Sequence, residues 1–316
     1  MSWKEVAPQL GVETHAWDLT IFNSKLYCGT AEHASLYEWN GTNAWVEVAP
    51  QLGSGEDIQS LVVFNTKLYG AVHATGKLYE WNGTDAWTEV APQLGAESHV
   101  YSLTIFNGKI YGGTFPNGKL YEWNGTDAWV EVAPKLGTEF YTISLVVFNS
   151  KLYSGTGING KLYEWNGTDA WIEVAPQLGA EIIINSLVVF NAKLYGSTTA
   201  HASLYEWNGT NAWVEVAPQL GIMNTVISTA VFDNELYGGC DDGSLLKWNG
   251  TDAWVEVAAV LSETNILSLV VFNSKLYGST TPLGKLYEYV LDIPNKSDYD
   301  LGSTRKSFWL EKSVLK

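Results

Sequence analysis

The sequence is poor in the residues that nucleic-acid binding and disulfide-bonded folds require. Arg305 is the only arginine in 316 residues, and 34 acidic against 18 basic side chains give a net charge of -16. Because phosphate binding depends on clustered Lys and Arg, we expect no nucleic-acid partner and no attraction to anionic membrane surfaces. Two cysteines, Cys28 and Cys240, are too few for a disulfide framework, which favours a reducing compartment.

Long hydrophobic runs and helical periodicity are missing as well. No apolar run approaches the roughly 18 residues that a membrane span needs, so we expect no membrane association. Met1 is followed by Ser-Trp-Lys-Glu, without the basic and apolar segments of a secretory signal, which predicts a cytoplasmic protein. An apolar content of 46% with 15 tryptophans nevertheless predicts a packed, aromatic-rich core.

What the sequence does contain is one segment repeated along its length. Residues 78–87 read LYEWNGTDAW, and the same ten letters return at 120–129 and 162–171. A tryptophan opens each W-x-E-V-A segment at intervals of 42 residues, once 41, at Trp3, Trp45, Trp87, Trp129, Trp171, Trp213 and Trp254. Seven copies at this period indicate a repeat architecture rather than two ordinary domains.

Each copy contains four short runs that are rich in β-branched and aromatic residues. In the third copy they read YSLTIFN, KIYGGT, KLYEWN and AWVEVA. Pairs such as Asn107-Gly108 join the first two runs in a tight hairpin, and the loop NGTDA joins the last two. The longest link leads from the fourth run to the next copy and is long enough to cross a blade of strands about 4.8 Å apart. These features predict four-stranded antiparallel blades with the first run innermost.

The two ends of the repeat indicate how the ring closes. The sequence begins with a lone fourth strand at 2–7, and the last copy supplies only the first three strands, at 266–289. The N-terminal strand therefore completes the last blade, a Velcro closure that removes open sheet edges. We predict an all-β fold, a seven-bladed β-propeller of four-stranded antiparallel blades over residues 1–290, followed by a C-terminal tail at 291–316.

These blades resemble those of highly repetitive, recently amplified bacterial β-propellers over roughly residues 2–290. Their layout is similar to kelch and WD40-like repeats and, more distantly, to tachylectin-2. The resemblance implies a recognition or scaffold module or, for the tachylectin-2-like propellers, a lectin that binds amino sugars. The Trp-Asp and Gly-His signatures of WD40 proteins are missing, so no residue role is carried over.

The repeated polar and aromatic residues are assigned to the scaffold. Asn82 and its equivalents satisfy the N-glycosylation pattern, but Asn-Gly is also a turn signal, and we interpret it as the turn. Tyr79 and Trp81 alternate with their neighbours along one strand, so they share a face that packs against the adjacent blade. Glu80 and its equivalents are expected to form repeated structural hydrogen bonds or to be solvated.

No catalytic or metal-binding pattern is visible. Identical carboxylates do not form an acid and base pair, because those roles need two groups in different environments. The sequence has no nucleophile elbow and no phosphate-binding loop, and its five histidines have no H-x-H or H-E-x-x-H spacing. We therefore expect that the protein is not an enzyme, binds no metal and needs no cofactor.

Positions at which the copies disagree were not fixed by the fold. They concentrate in the connectors between blades and in the loops between second and third strands, which antiparallel topology places at one end of the ring. The residues predicted to bind a ligand there are His15, Trp17, His33, Gln59, His73, His99, Tyr101, Phe115, Phe140, Tyr141 and His201. Aromatic side chains on the loops of a rigid scaffold favour recognition over random drift.

Three functions are consistent with this pattern. The first is a monomeric recognition scaffold that grips a protein or peptide, with acidity favouring a partner that carries positive charge. The second is a multivalent lectin with equivalent glycan sites between blades. The third is a recently amplified or engineered repeat protein with no selected ligand.

Overall fold

A computed structural model describes residues 2–52, 56–259, 261 and 263–291 of the chain. This part of the chain consists of 28 β-strands joined by turns and loops. The first half comprises β1 (Ser2–Ala7), β2 (Ala16–Phe22), β3 (Lys25–Thr30), β4 (Leu36–Trp39), β5 (Trp45–Ala49), β6 (Ile58–Phe64), β7 (Lys67–Val72), β8 (Leu78–Trp81), β9 (Trp87–Ala91), β10 (His99–Phe106), β11 (Lys109–Phe115), β12 (Leu120–Trp123), β13 (Trp129–Ala133) and β14 (Tyr141–Phe148). The second half comprises β15 (Lys151–Gly157), β16 (Leu162–Trp165), β17 (Trp171–Ala175), β18 (Ile183–Phe190), β19 (Lys193–Thr199), β20 (Leu204–Trp207), β21 (Trp213–Ala217), β22 (Val226–Phe232), β23 (Glu235–Cys240), β24 (Leu245–Trp248), β25 (Trp254–Ala258), β26 (Asn265–Phe272), β27 (Lys275–Thr281) and β28 (Leu286–Val290).

The strands form seven antiparallel blades of four. Strands β2 to β5 form the first blade, and each following group of four forms the next, up to β22 to β25 in the sixth. The seventh blade consists of β26, β27, β28 and, at its outer edge, β1. A single residue pair, Gly157 with Ile183, also joins the fourth and fifth blades. The predicted all-β, seven-bladed propeller is confirmed.

Strand pairing completes the seventh blade, and a hydrogen bond to a side chain links it to the first blade. Strand β1 pairs antiparallel with β28, with Trp3 opposite Tyr289. The backbone N–H of Leu19 donates to Oγ of Ser268 at 3.2 Å, between the inner strands of the two blades. These contacts place the N-terminal strand where the repeat pattern predicts it.

The two hairpin turns of each blade use backbone conformations that their sequences favour. Asn107 and Gly108 both have positive φ, 47° and 72°, as the two-residue turn between the first and second strands of a blade requires. In the NGTDA loop, Oδ1 of Asn82 accepts the backbone N–H groups of Thr84, Asp85 and Ala86 at 2.9, 2.9 and 3.1 Å. The interpretation of Asn82 as a turn residue is therefore confirmed.

The core of the molecule lies between neighbouring blades. Trp81 of β8 packs on Tyr27 of β3 and Phe22 of β2, with ring centroids 5.3 and 6.1 Å apart, and all three rings are buried. Each such ring pair contributes about 0.5–1.5 kcal/mol beyond simple area burial. The prediction that the tryptophan and tyrosine of the LYEW strand pack between blades is confirmed, since Tyr79 is buried as well.

The glutamate of the LYEW strand forms repeated structural hydrogen bonds. Glu80 accepts from Nζ of Lys67 at 2.7 Å and from the hydroxyl of Tyr69 at 3.0 Å. The sixth blade exchanges the two charges, since Glu235 takes the lysine position and Lys247 the glutamate position, with an Nζ to Oε1 distance of 2.9 Å. The ion pair is thus kept, with the positive and the negative side chain on exchanged strands.

Every inner strand carries a β-bulge near its start. In the third blade Val100 lies opposite Thr114 and Ser102 opposite Gly113, so Tyr101 between them has no partner across the ladder. The other unpaired residues are Trp17, Gln59, Ile143, Asn185, Ile227 and Leu267. Because a bulge redirects the side chain of its extra residue, these seven positions face the central channel although the neighbouring positions follow normal alternation.

The structure also bears on the cysteines, on membrane spans and on the C-terminal tail. Cys28 and Cys240 are buried free thiols in the first and sixth blades. The described part of the chain contains no helix that is long and apolar enough to cross a membrane. The predicted C-terminal tail lies, apart from Leu291, outside the described residues.

Candidate functional site

The two classes of divergent loop meet at one end of the ring, which we call the variable face. It consists of the loops at 31–35, 73–77, 116–119, 158–161, 200–203, 241–244 and 282–285, and of the connectors at 8–15, 50–52, 56–57, 92–98, 134–140, 176–182, 218–225, 259, 261 and 263–264. The two classes are hydrogen-bonded to each other, as where His73 N–H donates to the carbonyl of Asp57 at 2.8 Å. The NGTDA hairpins lie at the opposite end of the blades.

Five of the predicted residues converge in one aromatic cluster on the variable face. Its members, which come from the second, third and fourth blades, are His73, His99, Tyr101, Phe115 and Tyr141. Phe115 stacks on Tyr141 with centroids 4.5 Å apart, and Tyr101 meets both rings edge-on at 6.3 and 5.7 Å. His99 stacks on Tyr101 at 5.6 Å and contacts His73 at 3.6 Å. All five rings are half-buried and in contact with one another, so they form a continuous aromatic patch that is partly exposed.

The histidines of the cluster are held in their neutral form. Burial, reinforced by the neighbouring His73, lowers the pKa of His99 to about 4. Burial also lowers the pKa of His73, against the opposing effect of Asp57, whose Oδ2 lies 3.8 Å from Nδ1 of His73. At neutral pH the cluster is therefore aromatic and uncharged, which suits contact with apolar or flat side chains.

The aromatic cluster adjoins a cavity at the mouth of the central channel. This cavity, which we call the channel mouth, has a volume of about 490 Å³ and is lined by the bulge residues of the inner strands. Trp17, Gln59 and Tyr101, three of the residues predicted to bind a ligand, line it. His15 stacks on Trp17 with centroids 5.2 Å apart and an interplanar angle of 19°. Tyr101 belongs to both features and connects them.

The remaining three predicted residues lie outside both the aromatic cluster and the channel mouth, and they have partners of their own. Phe140 is 42% exposed, and Nζ of Lys135 lies 4.0 Å from the centre of its ring. His33 pairs with Glu13 at 3.0 Å, and His201 pairs with Glu181 at 2.8 Å. These histidines hold loops in place and are not assigned to a common binding surface.

Buried glutamates beneath the variable face escaped the sequence analysis. Glu13, Glu97, Glu139, Glu181 and Glu263 are each at most 2% exposed, and they occupy the same place in five blade connectors. Oε1 of Glu97 accepts Nδ2 of Asn117 at 2.8 Å, and Oε2 accepts the backbone N–H of Asn117 at 3.2 Å. Each glutamate thus fixes the loop between second and third strands to the connector, and we call this contact the loop latch. The recurrence of glutamate at one place in the repeat, 42 residues apart at Glu97, Glu139 and Glu181, was the signal that could have revealed it.

Two of these latches use histidine where others use asparagine. Burial raises the pKa of Glu13 and that of Glu181, and the neighbouring His33 and His201 oppose the shift. In the third and fourth blades Asn117 and Asn159 donate to Glu97 and Glu139 instead. Among the described residues, no three His, Cys, Asp or Glu side chains are grouped as a metal site.

Equivalent clefts separate neighbouring blades at the end of the ring opposite the variable face. The cleft between the second and third blades has a volume of about 470 Å³ and is lined by Lys67, Glu80, Trp123 and Asn124. The cleft between the fourth and fifth blades, about 600 Å³, is lined by the equivalent residues. Their repeated lining makes them candidates for several identical sites.

Comparison with known proteins bears on the fold. No model of a known protein family matches the sequence, and no curated protein is similar to it. A structure of YCF48 bound to D1 peptide is similar with a TM-score of 0.69 at 15% identity, over 93% of this chain and 97% of that one. The WD40 β-propeller domain of Doa1 is similar with a TM-score of 0.67 at 12% identity, over 95% of this chain and 99% of that one. The chain is therefore a repeat protein with a WD40-like propeller fold, as the repeat pattern predicts.

A third similar structure corrects the expectation that this protein is not an enzyme. A catalytically inactive variant of virginiamycin B lyase from Staphylococcus aureus, solved with quinupristin, has a TM-score of 0.76 at 11% identity, over 91% of this chain and 98% of that one. The expectation rested on missing catalytic and metal-binding motifs, and it was wrong because this ring architecture also carries a lyase. At this identity the likeness shows the fold alone and assigns no activity.

Proposed function

We propose that this chain is a recognition propeller that binds a protein or peptide through the aromatic cluster and the channel mouth. The observation that carries the proposal is the convergence of five divergent residues from three blades into one half-buried aromatic surface. Divergence within near-identical repeats means that the fold did not require these rings. Aromatic side chains of this kind supply much of the binding energy at protein interfaces.

Three further features support this proposal. The loop latches hold the variable loops on a rigid scaffold, so little conformational entropy is lost on binding. The net charge of -16 attracts partners that carry basic groups. YCF48, which is similar in fold, has been solved with a peptide bound.

Selection from a random peptide display library tests the proposal. The informative variant combines Tyr101→Asn and Phe115→Thr, which introduces the residues of the fifth blade, Asn185 and Thr199, and so respects the fold. The matched control is Asp127→Asn in the opposite hairpin, where Asn43 already occupies the equivalent position.

The proposal predicts that peptides selected on the unaltered protein bind the double variant at least about tenfold more weakly, a loss of about 1.4 kcal/mol. The Asp127→Asn control should bind them with unchanged affinity. Equal binding to all three proteins, or no selected peptide at all, would contradict the proposal.

Glycan binding in the repeated clefts is a second candidate function. It is favoured by the equivalent clefts between blades, each lined by a tryptophan and polar side chains. It is weakened by the pairing of those polar groups, because Glu80 already accepts from Lys67 and Tyr69. A glycan array followed by calorimetry distinguishes the two: several equivalent sites per chain support the clefts, and a blank array rejects them.

A further inference from the structure

One position of the channel wall carries a charge that the other blades do not have. Directly after each bulge residue, six inner strands place a serine, and the first blade places Asp18. The serines are Ser60, Ser102, Ser144, Ser186, Ser228 and Ser268. Of the seven equivalent positions, six therefore carry a hydroxyl and one, in the first blade, carries a carboxylate.

The serines reveal what the fold requires here. Oγ of Ser60 accepts the backbone N–H of Leu103 in the next blade at 3.0 Å, and Oγ of Ser144 accepts that of Leu187 at 3.0 Å. Oδ2 of Asp18 accepts the N–H of Leu61 at 2.7 Å in the same way. A hydroxyl is therefore sufficient for this link between blades, and the negative charge of Asp18 is additional to it.

The charge of Asp18 has no cationic partner among the described residues. Its Oδ1 has a long contact, 3.4 Å, with Oγ of Ser268 and takes part in no ion pair there. Asp18 lines the channel mouth and is the one charged side chain among the described residues that line it. Burial raises the pKa of its carboxyl to about 6, against the opposing hydrogen bonds from Leu61, Ser268 and Leu19. A carboxylate that is disfavoured in this way gains from a cation entering the cavity.

The surroundings of Asp18 suit an organic cation. Trp17 and Tyr101 line the same cavity of about 490 Å³, and both present aromatic rings, which attract ammonium and guanidinium groups. Gln59 also lines the cavity and adds a polar, uncharged side chain to it. The remaining lining consists of aliphatic side chains, hydroxyls and an amide, which leave room for an alkyl stem.

We propose that the channel mouth binds a cationic side chain, with Asp18 as its counter-ion and with Trp17 and Tyr101 flanking it. The cation is the lysine or arginine side chain of a peptide that lies across the aromatic cluster, and this assignment rests on the proposed function. A free alkylamine shares the same chemistry and provides a second, independent source of the cation. The charge is found only at Asp18 among the seven equivalent positions, so the proposed site depends on the first blade.

The test compares the unaltered protein with Asp18→Asn and Asp18→Ser. Asn keeps an acceptor for the Leu61 N–H and removes the charge, whereas Ser restores the residue of the other six blades, so both variants are expected to fold. The probes are n-butylamine, which is protonated at neutral pH, and n-butanol, which has the same stem without charge. Binding is followed by ligand-observed NMR titration, and peptides are selected from the random library on all three proteins.

We expect n-butylamine to bind the unaltered protein and to bind each variant at least about tenfold more weakly, with n-butanol alike in all three. Peptides selected on the unaltered protein should contain Lys or Arg, and peptides selected on the two variants should not. Equal binding of n-butylamine to all three proteins, or none to the unaltered one, overturns the cation site. If peptides are then still selected without a basic residue, the proposed function stands; if the amine binds but no peptide is selected, the cation site stands and the peptide function fails.

Discussion

At the residue scale, the near-identical blades separate side chains that the fold needs from side chains that it tolerates. Asn82 recurs because its Oδ1 holds three backbone N–H groups, and few other residues can do this in a turn. Tyr101 does not recur, because the bulge position faces the channel and imposes no packing requirement. The same comparison isolates Asp18, whose charge the blade link does not require.

Replacing Asp18 by serine is expected to stabilise the protein at neutral pH. Burial raises the pKa of Asp18 from 3.8 to about 6 in the folded state, so folding disfavours its ionised form. The resulting penalty is fully present above the folded pKa and disappears as the pH falls below the unfolded value. We expect Asp18→Ser to gain about 1–2 kcal/mol at neutral pH, allowing for partial exposure to the channel, and nothing below about pH 4.

Urea unfolding of both proteins at neutral and acidic pH measures this gain. Glu13 and Glu181 titrate in both proteins and so cancel in the difference. If the serine variant is less stable at neutral pH, the carboxylate has a structural role that serine cannot supply.

At the scale of single elements, the loop latch determines where the variable loops lie. In Glu97→Ala, Asn117 loses both the acceptor of its side-chain amide and that of its backbone N–H. We expect a loss of about 1–3 kcal/mol in the free energy of unfolding, because buried donors without partners are costly. Glu89→Ala is the matched control, since Glu89 is 42% exposed and pairs with Lys77 on the surface, and it should change stability by less than about 0.5 kcal/mol. Equal effects in chemical denaturation would refute the latch.

The reversed ion pair of the sixth blade offers a double-mutant cycle. Glu235→Lys alone places two lysines together, Lys247→Glu alone places two glutamates together, and the double variant restores the arrangement of the other blades. We expect a coupling energy of about 0.2–1 kcal/mol in low salt that shrinks as salt is added. Stabilities that are additive in low salt would show that the pair contributes nothing.

The elements of the fold follow from the sequence more readily than the site does. Four strands per copy, the Asn107-Gly108 turn and the outer position of 2–7 could be predicted because each has a local signal that repeats. The divergent Tyr101 and Phe115 were also predicted, but their convergence depends on the bulge, and the bulge residues share no side-chain type. Glu97 was missed because the connector around it differs from blade to blade, which drew attention away from the recurring glutamate that positions the binding loops.

At the scale of the whole molecule, each blade is stable only against its neighbours. The buried rings of one blade pack on those of the next, as Trp81 does on Tyr27, so stability is collective. The ring is closed within the seventh blade, where the first strand, β1, pairs with the last strand, β28. There Trp3 of β1 packs against Tyr287 and Tyr289 of β28, with ring centroids 6.5 and 6.0 Å apart.

Deleting residues 1–8 is expected to open the ring. The deletion removes the pairing of β1 with β28 and leaves an exposed sheet edge, which promotes association between chains. We expect a lower thermal midpoint and concentration-dependent aggregation, both partly reversed by adding a peptide of residues 2–7. Calorimetry and light scattering follow these changes, and an unchanged melting profile would contradict closure through this strand.

The central claim is that ligands bind at the variable face, and hydrogen–deuterium exchange with a selected peptide tests it most directly. The variable loops give unique proteolytic fragments, whereas the three copies of LYEWNGTDAW report together on the opposite end. We predict that the bound peptide slows exchange in fragments that contain His15 to Trp17, His99 to Tyr101, Phe115 and Tyr141, with the repeated hairpins unchanged. Slower exchange in the hairpins with an unaltered variable face would contradict the claim and move the site to the clefts between blades.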